Sequence, residues 1–147
     1  MKSLILIACC VTFFSCSSGP EPITYGNDNC HYCKMTIVDN KFGAEIVTSK
    51  GKIFKFDAVE CLVNFSKESP QQEGDNYYVI NYQNGEWIVA EKAFYLRSKR
   101  KPSPMGQYIT AFSEREAAMD IQKENEGVIQ SWNELIDNFE ISNIGNF

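Results

Sequence analysis

Ala44-Glu45-Ile46-Val47-Thr48-Ser49-Lys50-Gly51-Lys52-Ile53-Phe54-Lys55-Phe56-Asp57 is the stretch on which the fold class turns. Residues 44–50 and 52–56 alternate in polarity, are rich in β-branched and aromatic side chains, and flank a single glycine. That is the pattern of a β-hairpin. Asp57 then reads as the N-cap of a helix over 58–67, where Val59, Leu62, Val63 and Phe65 recur at roughly helical spacing before Ser69-Pro70 ends the run. Asn76 to Tyr82 carries Tyr77, Tyr78, Val79, Ile80 and Tyr82 and reads as another strand. The order is strand, strand, helix, strand.

Downstream the same order recurs. Ala93-Phe94-Tyr95-Leu96 reads as a strand, followed by the basic, proline-rich Lys99-Arg100-Lys101-Pro102-Ser103-Pro104. Gln107 to Phe112 reads as the next strand. Ser113 is placed to cap a helix over 114–125, with Glu116 at the capping-box position. Gly127 ends that helix, Val128 to Trp132 reads as a strand, and a short amphipathic helix from Asn133 to Phe139 closes the chain. The expected fold is α+β, made of two related ββαβ units of roughly 50 residues, at 30–88 and 89–147, with small antiparallel sheets.

Upstream of the hairpin the sequence changes character. Lys2 and the apolar run Leu4 to Phe14 form an export signal, since ~11 residues are too few to span a bilayer as a helix. Phe13-Phe14-Ser15-Cys16 followed by Ser17-Ser18-Gly19-Pro20 reads as a bacterial lipoprotein site, with residues 1–15 removed and Cys16 acylated. Leu6-Ile7-Ala8-Cys9 is a weaker rival, and cleavage by an ordinary signal peptidase is the plainer alternative. Residues 16–29, rich in Ser, Gly, Pro and Asn, read as a flexible tether. The mature chain is then 132 residues (147 less 15), enough for one core or two small ones. Net charge is −5 for the whole chain, which argues against nucleic acid as a partner.

Removal of the signal takes Cys9 and Cys10, and the lipid occupies Cys16. Three thiols remain: Cys30, Cys33 and Cys61. An odd number in an exported chain points to a metal or to reactivity. Cys30-His31-Tyr32-Cys33-Lys34-Met35 gathers two of these thiols, a thioether and the only histidine into six residues. Three readings are compatible with it. Thiolate and thioether donors are soft and select Cu(I), which fits Cys30, Cys33, Met35 and His31. Half of a structural zinc site, completed by Cys61 on the predicted helix, also fits. A Cys30/Cys33 redox pair is the third, although Met35-Thr36-Ile37-Val38 is not the helix start that a low-pKa Cys-x-x-Cys uses. Successive side chains diverge in extended backbone, so His31 does not easily share one ion with both neighbouring thiols.

Elsewhere, Met105 in Pro104-Met105-Gly106 sits in stiff backbone and is a further soft donor, whereas Met119 reads as core. Tyr32 reads as a packing residue. Lys99-Arg100-Lys101 is a solvated turn or a contact for an acidic partner. There is no Ser/His/Asp set and no phosphate-binding glycine loop, so the chain does not read as an enzyme.

At these residues the chain resembles the NosL family, the lipoprotein accessory protein of nitrous oxide reductase. The matching features are the lipid-modified start, Cys30 to Met35, Gly51-Lys52 through Phe56-Asp57 with Cys61, Pro104-Met105-Gly106 with Ala111-Phe112-Ser113, and Gly127-Val128 to Trp132. The resemblance covers most of the mature chain. It implies two related ββαβ units, Cu(I) binding, and delivery of copper to the reductase with help from a membrane ABC-type transporter. Carried over position by position, it makes Cys33 and Met35 the foremost ligands, then Cys30 and Met105, then His31. Cys61 lies in a variable part of the pattern. Lys34 stands where the family commonly has Gly. The location implied is the cell envelope, anchored by lipid to a membrane and facing the periplasm.

Overall fold

The computed structural model describes residues 19–69 and 72–139. The expected signal and lipidation site at Cys16 lie outside the described residues. The elements run β1 (Ala44–Val47), β2 (Ile53–Phe56), α1 (Val59–Glu68), β3 (Asn76–Ile80), β4 (Trp87–Val89), a 3₁₀ turn (Ala90–Lys92), β5 (Phe94–Arg97), β6 (Ile109–Phe112), α2 (Arg115–Asn125), β7 (Val128–Gln130) and α3 (Trp132–Asp137).

They form two antiparallel sheets, ordered β2-β1-β3-β4 and β6-β5-β7. In each sheet the first strand is central. It pairs with its hairpin partner on one side and with the strand that follows the helix on the other. The repeated ββαβ order is therefore a repeated topology, and the α+β expectation holds. β4 was not expected. Its three residues are too few to show a period, and it forms because a turn at Asn81–Glu86 folds Trp87–Val89 back along β3.

The strand bounds contract where turns take residues. Thr48 to Gly51 make the first hairpin turn, closed by the Gly51 N–H to Thr48 O bond of 2.8 Å, so β1 stops at Val47. Two of the expected caps are not used. Asp57 is buried, and its carboxylate accepts the Val38 N–H, leaving Ala58 at the N-cap of α1 without a side-chain bond. The Ser113 hydroxyl accepts from the Asn81 amide at 3.0 Å, and Glu114 is the N-cap of α2. A reciprocal capping box does form at Ser131 and Glu134. It starts α3 at Trp132 and ends β7 at Gln130, short of the expected strand end. Gly127 stops α2 as expected, at φ 104, where a Cβ would stand 2.3 Å from the Arg97 carbonyl oxygen.

Alternation on β1 divides its neighbours between two faces. Ile46 lies opposite Phe54 and Tyr77, on the face whose cover includes α1. Glu45 lies opposite Lys55 and Tyr78, on the other face. Residues 21–29 bond to that second face and do not hang free as a tether. The Glu21 N–H donates to Glu45 at 2.9 Å, Lys55 Nζ reaches Pro22 O and Asp28 at 2.9 Å each, and buried Ile23 sits where a Cβ on Gly43 would otherwise be.

One core cluster draws on both halves, with Phe56, Leu62 and Val79 beside Tyr95, Ile109, Trp132 and Leu135. A smaller one, Leu96, Phe112, Ala117 and Ala118, lies at α2. The halves also meet through the Tyr82 N–H to Ala111 O bond of 2.9 Å. Met119 is not core: it is 43% exposed on α2, because Ala118 takes the inward position. Among the described residues no helix is long and apolar enough to cross a membrane.

Glu45 is fully buried with one carboxylate oxygen unpartnered, and burial raises its pKa to about 7. An acid whose pKa is higher in the folded state than in the unfolded one binds an extra proton on folding, so its contribution is lost as pH rises between the two values. Glu45→Gln is therefore expected to match the parent chain near pH 4.5. It should exceed it by about 3 kcal/mol at pH 7.5, measured by denaturant unfolding at both pH values.

Candidate metal centre

Residues 29–37 turn back on themselves through an isolated Asn29–Thr36 bridge, with the Cys30 N–H on Met35 O at 2.8 Å and the Lys34 N–H on Cys30 O at 3.0 Å. The His31 N–H donates to Lys55 O at 2.7 Å and ties the turn to β2. Lys34 is left-handed, with φ 66. This is a conformation that glycine adopts without cost and other residues take at about 1–2 kcal/mol, the physical reason a glycine suits this position. In this chain the Lys34 ammonium bonds to the His31 carbonyl and helps to close the turn.

The turn brings Cys30 and Cys33 to the first turn of α1, which supplies Cys61. The three sulfurs lie within 4.8 Å of one another, and all three thiols are free. Cys30 and Cys61 are buried at 1% and 0% exposure, while Cys33 is half-buried.

The cluster shares protons unequally. The Cys30 pKa is lowered to about 5, chiefly because the Cys61 S–H donates to it, with the N–H groups of Asp57, Cys33 and Tyr32 adding to the effect against the penalty of burial. Cys33 is lowered too, first by Cys61 and then by the Met35 N–H. Cys61 is raised, because its proton bridges to the other two sulfurs. Asp57 beside them is pushed up to about 6, by burial first and then by the charge on Cys30. The apo centre is thus a thiolate held by backbone donors plus a thiol whose proton a metal ion would displace.

The remaining expected ligands fall at different places. Met35 is 57% exposed, and its N–H rests on the Cys33 sulfur. His31 is not in the donor group that surrounds the sulfurs. Its ring packs on Phe54 at 4.5 Å between centroids and meets Phe65 and Phe56 edge-on. Burial, then Lys34 and Lys52, lower its pKa. Met105 is partly buried against the core cluster that holds Cys30 and Cys61. Tyr32 packs on the same cluster and donates its hydroxyl to Glu68 at 2.8 Å.

Cys61 was absent from the ligand ranking. The count of three thiols, with the third on the predicted helix, already joins Cys61 to the pair in the zinc reading, and the structure brings all three together. Removing Cys61 removes the main donor to Cys30. In the reduced apo chain, ultraviolet thiolate absorbance is expected to show a transition near pH 5, and Cys61→Ala should move it upward by at least about one pH unit.

A family model described as NosL matches residues 22–139 of this chain. Sequence comparison with curated proteins gives no match. Among solved structures, the chain is similar to the crystal structure of the copper chaperone NosL from Shewanella denitrificans. The TM-score is 0.70 at 20% identity, over 80% of this chain and 95% of that one. At that identity the likeness is one of fold.

Proposed function

The chain belongs to the NosL family, and from that premise we propose that it is a carrier of Cu(I), not an enzyme. It holds the ion on Cys30, Cys33 and Cys61, with Met35 and Met105 as the thioethers that assist capture and release. The observation that carries this reading is the cluster of three sulfurs within 4.8 Å. With metal–sulfur bonds of about 2.3 Å, three sulfurs in a plane around one ion stand about 4 Å apart. Soft donors alone suit Cu(I), whereas structural zinc takes four ligands. Among the described residues no histidine or carboxylate completes the group. The fold likeness to a copper chaperone supports the same cargo.

Release follows from exposure. Cys33 and Met35 are the more exposed of these donors, so a partner's ligand would attack the ion from their side while the buried Cys30 and Cys61 still hold it. The receiver we propose is nitrous oxide reductase or its ABC-type maturation transporter. The carrier would be held at a membrane of the cell envelope, facing the periplasm, by a lipid on Cys16. A single acyl chain anchors only marginally, so more than one chain is expected there.

The test is anaerobic titration of the reduced mature chain with Cu(I) and, separately, Zn(II) against a chromophoric competitor. One tight Cu(I) per chain is expected, with an apo form that stays folded by circular dichroism. Cys33→Ser and Cys61→Ser should each weaken binding by about 100-fold, and Met35→Leu by about tenfold. Tight Zn(II) whose removal unfolds the chain would make the centre structural and overturn the carrier reading. Transfer of copper from the loaded chain to apo reductase tests the receiver.

A further inference from the structure

We infer that Glu60 is a positioning residue of the metal centre: its carboxylate clamps the 103–109 loop, with Met105 at its tip, onto the helix turn that carries Cys61. The clamp stands on geometry alone, and what Met105 does rests on the carrier reading.

Glu60 is fully buried; its Oε2 has no hydrogen-bond partner, and the bonds that hold the loop fall on Oε1. Apart from its own N–H, its donors all come from the second half of the chain. They are the Ser103 hydroxyl, the Ile109 N–H at 3.5 Å and the Gln107 N–H. Ser103 extends the clamp, because its Oγ also accepts the Tyr108 N–H at 2.8 Å. Between these anchors Pro104 and Met105 occupy the centre of a turn closed by the Gly106 N–H on Ser103 O at 3.0 Å.

The loop needs holding. Tyr108 is a non-glycine residue at φ 64, two residues after Gly106 at φ 73. Left-handed backbone at a tyrosine persists where the surroundings impose it. Here the imposition traces through Ser103 to one carboxylate. Side chains on successive helix residues point about 100° apart, so Glu60 grips the loop while Cys61 turns to Cys30 and Cys33. Met105 packs against the extended core cluster, drawn from both halves, to which Cys30 and Cys61 also belong.

The experiment combines amide hydrogen exchange of the apo chain with Cu(I) competition in a double-mutant cycle. Glu60→Ala, and the milder Ser103→Ala, are expected to speed exchange at Gln107, Tyr108 and Ile109 by at least about tenfold. Each should weaken Cu(I) by about tenfold in the parent chain and add nothing in a Met105→Leu background. Glu60→Gln keeps the acceptor for Ser103 and should restore both readings to near the parent. Equal weakening with and without Met105, exchange unchanged at the three amides, or a Gln variant as impaired as the Ala variant would overturn the proposal. A parent chain that takes no Cu(I) would overturn the carrier reading, and the exchange rates alone would then decide the clamp.

Discussion

Polar groups withdrawn from water have to be given hydrogen-bond partners, and residues 57–61 at the start of α1 are where this chain gathers them. Cys30 receives the N–H groups of Tyr32, Cys33 and Asp57 and the proton of Cys61. Asp57 takes the N–H of Val38, and Glu60 takes the Ser103–Ile109 loop. Two stretches far apart in sequence, 30–39 and 103–109, therefore converge on residues 57–61. The turn at 30–35 is drawn in by sulfur, the 36–39 stretch by Asp57, and the second half by Glu60. These side-chain bonds add to the backbone ties already in place, the His31 N–H on Lys55 O and the Tyr82 N–H on Ala111 O.

The two-sheet architecture was legible because its determinants are local. Alternation around Gly51, the apolar spacing of Val59, Leu62 and Val63, and the stop at Gly127 each act within a few residues. What was illegible depends on tertiary context. Asp57 and Ser113 have the right chemistry to cap helices, yet each is taken by a distant partner, Val38 or Asn81. β4 exists through its pairing with β3, not through any pattern of its own. The packing of residues 21–29 follows from what Glu45 and Lys55 offer on the outer face of the sheet, and the composition of that stretch does not reveal it.

The site shows the same division. The Cys30–Met35 motif lies in the loop that supplies two of the three clustered thiols. Cys61 joins it through the helix that carries it, and a linear spacing rule does not encode that approach. His31 is nearest in sequence to both thiols and is turned aside to Phe54, Phe56 and Phe65 by the divergence of successive side chains. Lys34 is legible only with its dihedral in hand: a left-handed position for which glycine is the unstrained choice, here filled by a lysine whose own head group helps to close the turn.

The packing of residues 21–29 also fixes how this molecule would be moored. With the lipid proposed for Cys16, the slack runs only from Cys16 to Glu21, five residues that extend to at most about 18 Å. A chain on so short a leash does not sweep a volume in search of its receiver. Were Cys16 lipidated as proposed, the domain would ride close against the bilayer, and its encounters would become a problem of lateral diffusion in two dimensions.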